Sequence, residues 1–333
     1  MKTRKRVLTG DRPTGKLHLG HYIGTLENRV KLQDEYETFI MQADVQALTD
    51  NFDNPEKVRD SIFEVALDNL AAGLKPENVV LFVQSQVSEL TELTIYFMNL
   101  VSLERLQRNP TVKAEMKQKG FGGNVSVGFV NYPLSQVADI LGFNADIVPA
   151  GDDQAPMVEL SREVVTKFKN IYGYEFKMPD IVTGRNARLV GTDGNAKMSK
   201  SLGNVIYLSD NPDEVRLKVM KMYTDPGRKK ATDPGKVEEN PVFIYLDSFG
   251  NDLSRINEYK KRYTDGTVGD VEVKEYLIEV LNEFLEPIRN RRKYYEDKPE
   301  LVHQLLKDGS KKARSVVQET MKDIRKSMKL YGN

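Results

Sequence analysis

Two histidines stand three positions apart in the segment PTGKLHLGHYIG, at the start of an apolar helical pattern. His18 and His21 would then occupy the first turn of a helix, where free N–H groups and the positive end of the helix dipole favour an anion. Imidazoles can donate hydrogen bonds to phosphate oxygens, and Gly20 lets a base or ribose approach the backbone closely. The pattern favours a phosphate site, with ordinary surface histidines as the alternative.

A zinc site is the other chemistry that paired histidines suggest. A catalytic zinc ion takes three protein ligands, which are His, Cys or carboxylate side chains. The chain has three histidines and no cysteine, and the third, His303, lies far along in a helical region. We therefore expect no metal held by the protein itself.

A second segment, KMSKS at residues 197–201, carries two lysines and two hydroxyls in the glycine-containing stretch GNAKMSKSLGN. Glycine and asparagine at this density indicate a loop. Such a loop is suited to closing over a triphosphate, although a solvated Lys/Ser loop is the more common meaning of this composition. The order of the two segments favours the phosphate-binding interpretation of both, because the HxGH segment follows the first strand and KMSKS comes where the strands end.

Strand and helix patterns alternate along the first 205 residues. The stretches RVLT, ETFIMQAD, NVVLFVQS and ADIVPAGDDQ are typical of strands, and helical periodicity fills the segments between them. This alternation predicts an α/β, Rossmann-like parallel sheet with function at the carboxyl ends of its strands. Beyond residue 205 the pattern is nearly all helical. We therefore expect a sheet domain over 1–205, a helical domain over 206–305 and a C-terminal helix over 306–333, for which a return to the first domain is one arrangement.

Composition narrows the class of protein. The 333 residues include 49 Lys and Arg, 49 Asp and Glu, and no cysteine. Balanced charge means that any polyanionic partner must be met by a local patch. The absence of cysteine excludes disulfides and thiolate metal sites and favours a reducing cytoplasm. No apolar run has the length of a membrane span, so no membrane association is expected.

The two segments together resemble the HxGH and KMSKS motifs of class I aminoacyl-tRNA synthetases. YPLSQVADI resembles that family's amino-acid-binding helix and VPAGDDQ its ribose- and substrate-binding loop, in the tryptophanyl/tyrosyl branch and most closely in tryptophanyl-tRNA synthetases. The similarity covers essentially the whole chain. Four positions depart from many bacterial members: Arg12, His21, Gln46 and Gln136 stand where those carry Gln, Asn, His and Met.

The resemblance implies that L-tryptophan is activated with ATP as an adenylate and transferred to tRNA(Trp). The catalytic residues would be His18, His21, Lys197 and Lys200, and Mg²⁺ would arrive with ATP. The helical domain would bind the anticodon, with the arginines of IRNRRKYY suited to phosphate contact. A homodimer in the cytoplasm is also implied. Together with His21, Lys197 and Lys200, the ATP-binding residues implied are Arg12, Thr14, Gly20, Lys113, Gly151, Asp153, Met198 and Ser199.

The amino-acid pocket is expected on one helix face, because Tyr132, Gln136 and Asp139 are spaced i, i+4 and i+7. By similarity, Tyr132, Gln136 and Gln154 would hold the α-amino group, and Asp139 would accept a hydrogen bond from the substrate's side chain. Indole and phenol both donate one, so Asp139 alone leaves tryptophan and tyrosine open.

Leu8 bears on that choice. It stands where archaeal and eukaryotic tyrosyl enzymes place a tyrosine, and an apolar strand facing one acceptor suits indole. A tyrosyl-tRNA synthetase and a non-catalytic synthetase paralogue remain the alternatives. A nucleotidyltransferase sharing only HxGH would explain neither KMSKS nor the helical C-terminal half.

Overall fold

A parallel sheet forms the centre of the first part of the chain. The computed structural model describes residues 4–120, 125–184, 189–194, 197–225, 227–228, 230 and 232–332. Within them, five parallel strands lie in the order β3-β2-β1-β4-β5, which confirms the α/β, Rossmann-like fold class. Strand order reverses at β1 and β4, so a crevice opens beyond their carboxyl ends. The strands are β1 Arg6–Asp11, β2 Glu37–Gln42, β3 Val79–Val83, β4 Ile147–Pro149 and β5 Asp180–Val182.

Helices surround this sheet, and two of them differ from the sequence pattern. The apolar spacing from Leu19 predicts a regular helix, and this helix contains a π-helical turn at Tyr22–Leu26. The proline of VNYPLSQVADI predicts a helix starting at Pro133, since proline favours the first helical position. The helix begins at Val127 instead, because the Ser126 hydroxyl caps it by accepting from the Phe129 N–H. The helices of this part are α1 Leu19–His21, α2 Glu27–Leu32, α3 Asp44–Ala47, α4 Pro55–Ala72, α5 Glu89–Met98, α6 Leu103–Gln107, α7 Pro110–Lys119, α8 Val127–Gly142 and α9 Ala155–Tyr172.

The remainder of the chain is helical, as its pattern predicts. Apolar side chains of these helices share one core with Leu17, Leu19 and Ile23 of the histidine segment. That shared core crosses residue 205, and the domain boundaries at 205 and 305 stay a prediction. The helices are α10 Pro212–Met220, α11 Pro241–Phe249, α12 Leu253–Thr264, α13 Asp270–Glu296 and α14 Pro299–Ser327.

Helix α14 packs on the sheet part of the molecule. Its residues Ala313, Val317 and Met321 are buried in the same apolar core as Phe82 of β3. Gly309 permits this approach, since a Cβ there would lie 1.8 Å from the carbonyl oxygen of Leu81. Among the described residues, no helix combines the length and apolarity that crossing a bilayer requires.

A buried ionic cluster joins α13 to α4 and to the histidine segment. Arg292, 4% exposed, bonds to Asp68 through Nη1 and to Glu64 through Nη2 at 2.5 Å. The other oxygen of Asp68 accepts from the Leu17 N–H at 2.6 Å, immediately before His18. The helical part of the chain is thereby fastened to the backbone that carries the first motif.

The arginines of IRNRRKYY serve this packing. Arg289 donates to the Asp210 carbonyl at 2.7 Å and Arg291 to the Ala71 carbonyl at 2.6 Å, while Arg292 lies in the buried cluster. Each of the three arginines thus has a partner within the protein, and the phosphate contact of this segment stays a prediction.

Replacing Arg292 with Gln should destabilise the protein by about 3–5 kcal/mol, because the buried Asp68 carboxylate loses its counter-ion. The matched control is Arg216→Gln, which removes the exposed Arg216–Glu275 ion pair between α10 and α13 and should leave the urea midpoint nearly unchanged. Urea unfolding of the two variants measures both shifts. Equal shifts in the two urea midpoints would contradict the claim that burial makes the loss of the Arg292–Asp68 ion pair more costly than the loss of an exposed one.

Candidate active site

The two histidines of the first motif cap α1 and orient each other. The Nδ1 atom of His18 accepts from the Gly20 N–H at 3.1 Å, and the Nδ1 atom of His21 accepts from the His18 N–H at 3.2 Å. With each Nδ1 accepting, the proton of each neutral ring resides on Nε2. Burial lowers the pKa of both histidines, further lowered at His18 by His21 and at His21 by Lys200. The pair therefore offers two neutral Nε2–H donors.

The second motif is held against the first by backbone pairing. The Leu19 N–H donates to the Ile206 carbonyl and the Leu208 N–H to the Leu17 carbonyl, both at 3.0 Å. His18 and Tyr207 form the antiparallel bridge between these two hydrogen bonds. Residues 206–208 follow KMSKS after only four intervening residues, 202–205, so this pairing brings the two motifs together.

Lys200 makes the side-chain contact between the motifs. Its Nζ donates to the Gly15 carbonyl in the first motif at 2.6 Å. Met198 is buried, and a Cβ on Gly20 would lie 3.6 Å from its Cβ and 3.0 Å from the His18 ring, so a side chain at this position would crowd the first histidine. The predicted juxtaposition of Gly20, Met198 and Lys200 is present.

The loop after β4 meets the second motif from the other side. Lys197 Nζ lies 3.5 Å from Asp153 Oδ2, and the Thr111 hydroxyl donates to the Asp153 carbonyl at 2.7 Å. A Cβ on Gly151 would lie 2.7 Å from Asp153 Oδ1, so glycine leaves room for the carboxylate. Lys197 and Asp153, expected at the phosphates and the ribose, pair with each other.

Asp139 is buried on α8 and receives two glutamine amides. Gln84 Nε2 lies 2.9 Å from each carboxylate oxygen, and Gln46 Nε2 donates to Oδ2. Burial raises the pKa of Asp139, and these two hydrogen bonds act against that rise. Sequence reasoning did not select Gln84, although its position directly after β3 is the signal that could have found it.

Leu8 lies in the apolar core close to this helix. It is 3% exposed and belongs to the cluster that contains Val137 and Ala138, the residues preceding Asp139. An apolar strand side chain and a buried acceptor therefore occur in the same region, as the sequence predicts for an indole site.

The remaining polar residues gather around Tyr132. Gln136 Nε2 donates to Gln154 Oε1 at 3.1 Å, which unites these two predicted amino-group ligands. Arg12, an ATP-binding residue that the resemblance implies, lies 3.7 Å from Asp50 and 3.4 Å from Glu115.

Three predicted ATP contacts are less well supported by the geometry. Thr14 is half-buried and Lys113 is exposed on α7, and no side-chain contact among the described residues links either to the motifs. Ser199 bonds to Ser201 at 3.0 Å. His303, the histidine excluded as a zinc ligand, stacks on Phe63 instead.

Comparison with known proteins decides the family. Residues 1–286 match the family described as tRNA synthetases class I (W and Y). The tryptophan–tRNA ligase of Clostridium longisporum is 56% identical over 97% of this chain and 96% of its own length; that of Lactococcus lactis is 52% identical over 98% of each. The chain belongs to the tryptophan–tRNA ligases of class I. The resemblance and the preference for tryptophan over tyrosine are thereby confirmed.

A solved structure agrees with this assignment. The tryptophanyl-tRNA synthetase of Campylobacter jejuni, complexed with ADP and tryptophan, superimposes with a TM-score of 0.83. The two sequences are 31% identical, and the match covers 98% of this chain and all of the other. This chain and the Campylobacter jejuni enzyme therefore share the same fold over nearly their whole lengths.

The charge of Lys200 should control the use of ATP at alkaline pH. Burial lowers the pKa of Lys200 to about 8, despite the opposing effect of Asp11 and Asp68. Since lysine is charged below its pKa, kcat/KM for ATP should fall as the pH rises through about 8. Lys200→Arg keeps its charge and should move this fall to higher pH. Pyrophosphate exchange at subsaturating ATP measures both profiles, and coincident profiles would exclude Lys200 as the titrating group.

Proposed function

We propose that the crevice beyond β1 and β4 forms tryptophanyl-adenylate from L-tryptophan and ATP and transfers the tryptophanyl group to tRNA(Trp). The observation that carries this proposal is the pairing of residues 17–19 with residues 206–208. It sets the Nε2–H donors of His18 and His21 beside Lys200. Donors and a cation converging on one crevice are suited to phosphate chemistry.

In the first step, a carboxylate oxygen of tryptophan attacks the α-phosphorus in line. A new P–O bond forms while the bond to the β-phosphate oxygen breaks, and pyrophosphate leaves with the electron pair. The carboxylate is already ionised, so no general base is required. The enzyme contributes position and charge stabilisation, in which His18 and His21 act from one side and Lys197 and Lys200 from the other.

In the second step, a hydroxyl of the terminal adenosine of tRNA attacks the activated carbonyl carbon. The ester bond forms, the bond to the adenylate oxygen breaks, and AMP leaves with the hydroxyl proton on its phosphate. The same neutral histidines can serve both steps because neither step requires them to change protonation state.

ATP binding would replace the ion pairs that Lys197 and Arg12 make with carboxylates of the protein. Lys197 lies 3.5 Å from Asp153, so ribose hydroxyls that donate to Asp153 would replace the lysine there. The freed ammonium would then be available to the phosphates. Arg12 could turn from Glu115 and Asp50 toward the α-phosphate in the same way, since its side chain is 36% exposed.

Selection of tryptophan would depend on Asp139, which can accept hydrogen bonds but cannot donate them as a carboxylate. With amide donors from Gln84 and Gln46, its carboxylate presents remaining lone pairs and accepts from a ring N–H. A phenol oxygen also accepts a hydrogen bond, and burying it without a donor costs about 1–3 kcal/mol. Leu8 and its apolar neighbours provide none.

Mg²⁺ would enter with ATP and be held mainly by its phosphates. Among the described residues, no three His, Asp or Glu side chains gather to hold a metal ion, and Asp153, the nearest predicted carboxylate, is paired with Lys197. We further propose tRNA(Trp) as the macromolecular partner, a homodimer as the assembly and the cytoplasm as the location, which suits a cysteine-free chain.

Pyrophosphate exchange across the twenty amino acids tests the proposal. Mg-ATP and tryptophan should support exchange, and the other amino acids should not. Exchange with tyrosine alone would establish the tyrosyl alternative. Absence of exchange with every amino acid would favour a non-catalytic paralogue that binds amino acid or RNA.

Asp139→Ala should reduce tryptophan-dependent exchange by at least about a hundredfold, because a buried charged acceptor is lost. The dissociation constant of ATP should stay within about twofold of the wild-type value. Asp60→Ala, which removes an exposed aspartate on α4, is the control and should behave as wild type. Equal losses of ATP and tryptophan binding in Asp139→Ala would show that α8 does not form the amino-acid pocket.

His21→Ala should lower kcat for adenylate formation by about a hundredfold, since one donor to the transition state is removed. The dissociation constant of tryptophan should remain nearly unchanged. His21→Asn retains an N–H donor at a similar position and should recover part of the rate. A variant pair that differs in tryptophan affinity and not in kcat would refute this role of His21.

A further inference from the structure

Two buried polar atoms beside α8 have no hydrogen-bond partner among the described residues. They are the hydroxyl of Tyr132, whose side chain is 6% exposed, and Oε2 of Glu115. A buried polar group without a partner costs about 1–3 kcal/mol. Such groups in a substrate crevice indicate a place where a ligand supplies the missing donors.

Helix α7 directs Glu115 toward this place. Asn109 caps the helix by accepting from the Thr111 N–H, and the Thr111 hydroxyl donates to the Asp153 carbonyl at 2.7 Å. Glu115 follows Thr111 by four residues, so both side chains lie on the same helix face. The contact with the loop after β4 therefore fixes the position of Glu115 relative to Asp153 and Gln154.

The ring of Tyr132 is fixed by packing. It lies in a small apolar cluster with Val112, Phe129 and Met157, and its centroid is 5.5 Å from that of Phe129. Burial raises the pKa of the Tyr132 hydroxyl, and the negative charge of Glu115 raises it further. The phenol is thus neutral, close to a carboxylate and held in one orientation.

The chemistry of this corner defines what can fill it. Glu115 Oε2 accepts only, Gln154 Oε1 accepts from Gln136 and keeps a second lone pair, and the Tyr132 oxygen also accepts. Three acceptors, one of them charged, match the three N–H donors of an ammonium group. Arg12 neutralises the other Glu115 oxygen at 3.4 Å, a weaker contact than a direct ammonium–carboxylate hydrogen bond.

We propose that Glu115 binds the α-ammonium group of the amino-acid substrate, together with the hydroxyl of Tyr132. This inference rests on the proposed amino-acid activation and adds a charged residue to its substrate site. Arg12, beside Glu115, would leave this carboxylate for the α-phosphate, and the substrate ammonium would take its place at Glu115.

Three ligands separate the charges of the substrate: L-tryptophan, tryptamine without the carboxylate and indole-3-propionate without the ammonium. The chain contains no tryptophan, so indole fluorescence reports ligand binding directly. Glu115→Gln should weaken binding of L-tryptophan and of tryptamine by about 10- to 100-fold. Binding of indole-3-propionate should be unchanged or tighter, which also shows that the variant is folded.

The matched control is Asp50→Asn, which removes the same charge from the other partner of Arg12. It should leave the ratio of tryptamine to indole-3-propionate affinity within about twofold of the wild-type ratio. Equal weakening of all three ligands by Glu115→Gln, or no weakening, would overturn the proposal. The same selective loss in Asp50→Asn would also overturn it, because the effect would then be a general field and not a contact.

Failure of the proposed function is distinguishable from failure of this inference. If wild-type protein exchanges pyrophosphate with tryptophan and Glu115→Gln keeps the ligand ratio, only the ammonium site is wrong. If exchange identifies a different amino acid, the amine and the deaminated acid of that amino acid replace the indole ligands. The ratio of amine to deaminated-acid affinity in Glu115→Gln then shows whether Glu115 binds the ammonium group, whichever amino acid is the substrate.

Discussion

The active site depends on a short antiparallel pairing between two distant parts of the chain. Residues 17–19 and 206–208 exchange backbone hydrogen bonds, and through them the histidine turn and the lysine loop meet. Asp68 stabilises one side of this contact by accepting from the Leu17 N–H while bound to Arg292. The position of the first motif is thus determined jointly by the sheet, by α4 and by the helical part of the molecule.

The charged groups of the active site are largely balanced by other groups of the protein. The histidines are neutral because their environment is dry and cationic, and Lys197 and Arg12 have carboxylate partners at 3.5 and 3.4 Å. These contacts are long and partly exposed, so exchanging them for substrate groups costs little. The Tyr132 hydroxyl and Glu115 Oε2 are buried without such partners, so a substrate that donates hydrogen bonds to them gains the most binding free energy there.

The basic C-terminal segments illustrate a limit of composition. Arg314 and Arg325 of α14 bond to Glu89 and Glu92 of α5, and Arg292 is buried between helices. In the sequence these residues are indistinguishable from a surface that binds phosphate. The same guanidinium chemistry suits a carboxylate or a carbonyl of the protein, and only the packing of the helices decides which partner it has.

By itself, the sequence determined the parallel α/β sheet, the two motifs and the helix face with Tyr132, Gln136 and Asp139, because periodicity and motif spacing are local properties. It did not determine the role of Gln84 at Asp139 or the position of Glu115 beside Tyr132. Those two features depend on contacts between residues 55 and 17 positions apart, which exist only once the sheet and helices have packed. The start of α8, by contrast, is set by the local cap that Ser126 makes with Phe129.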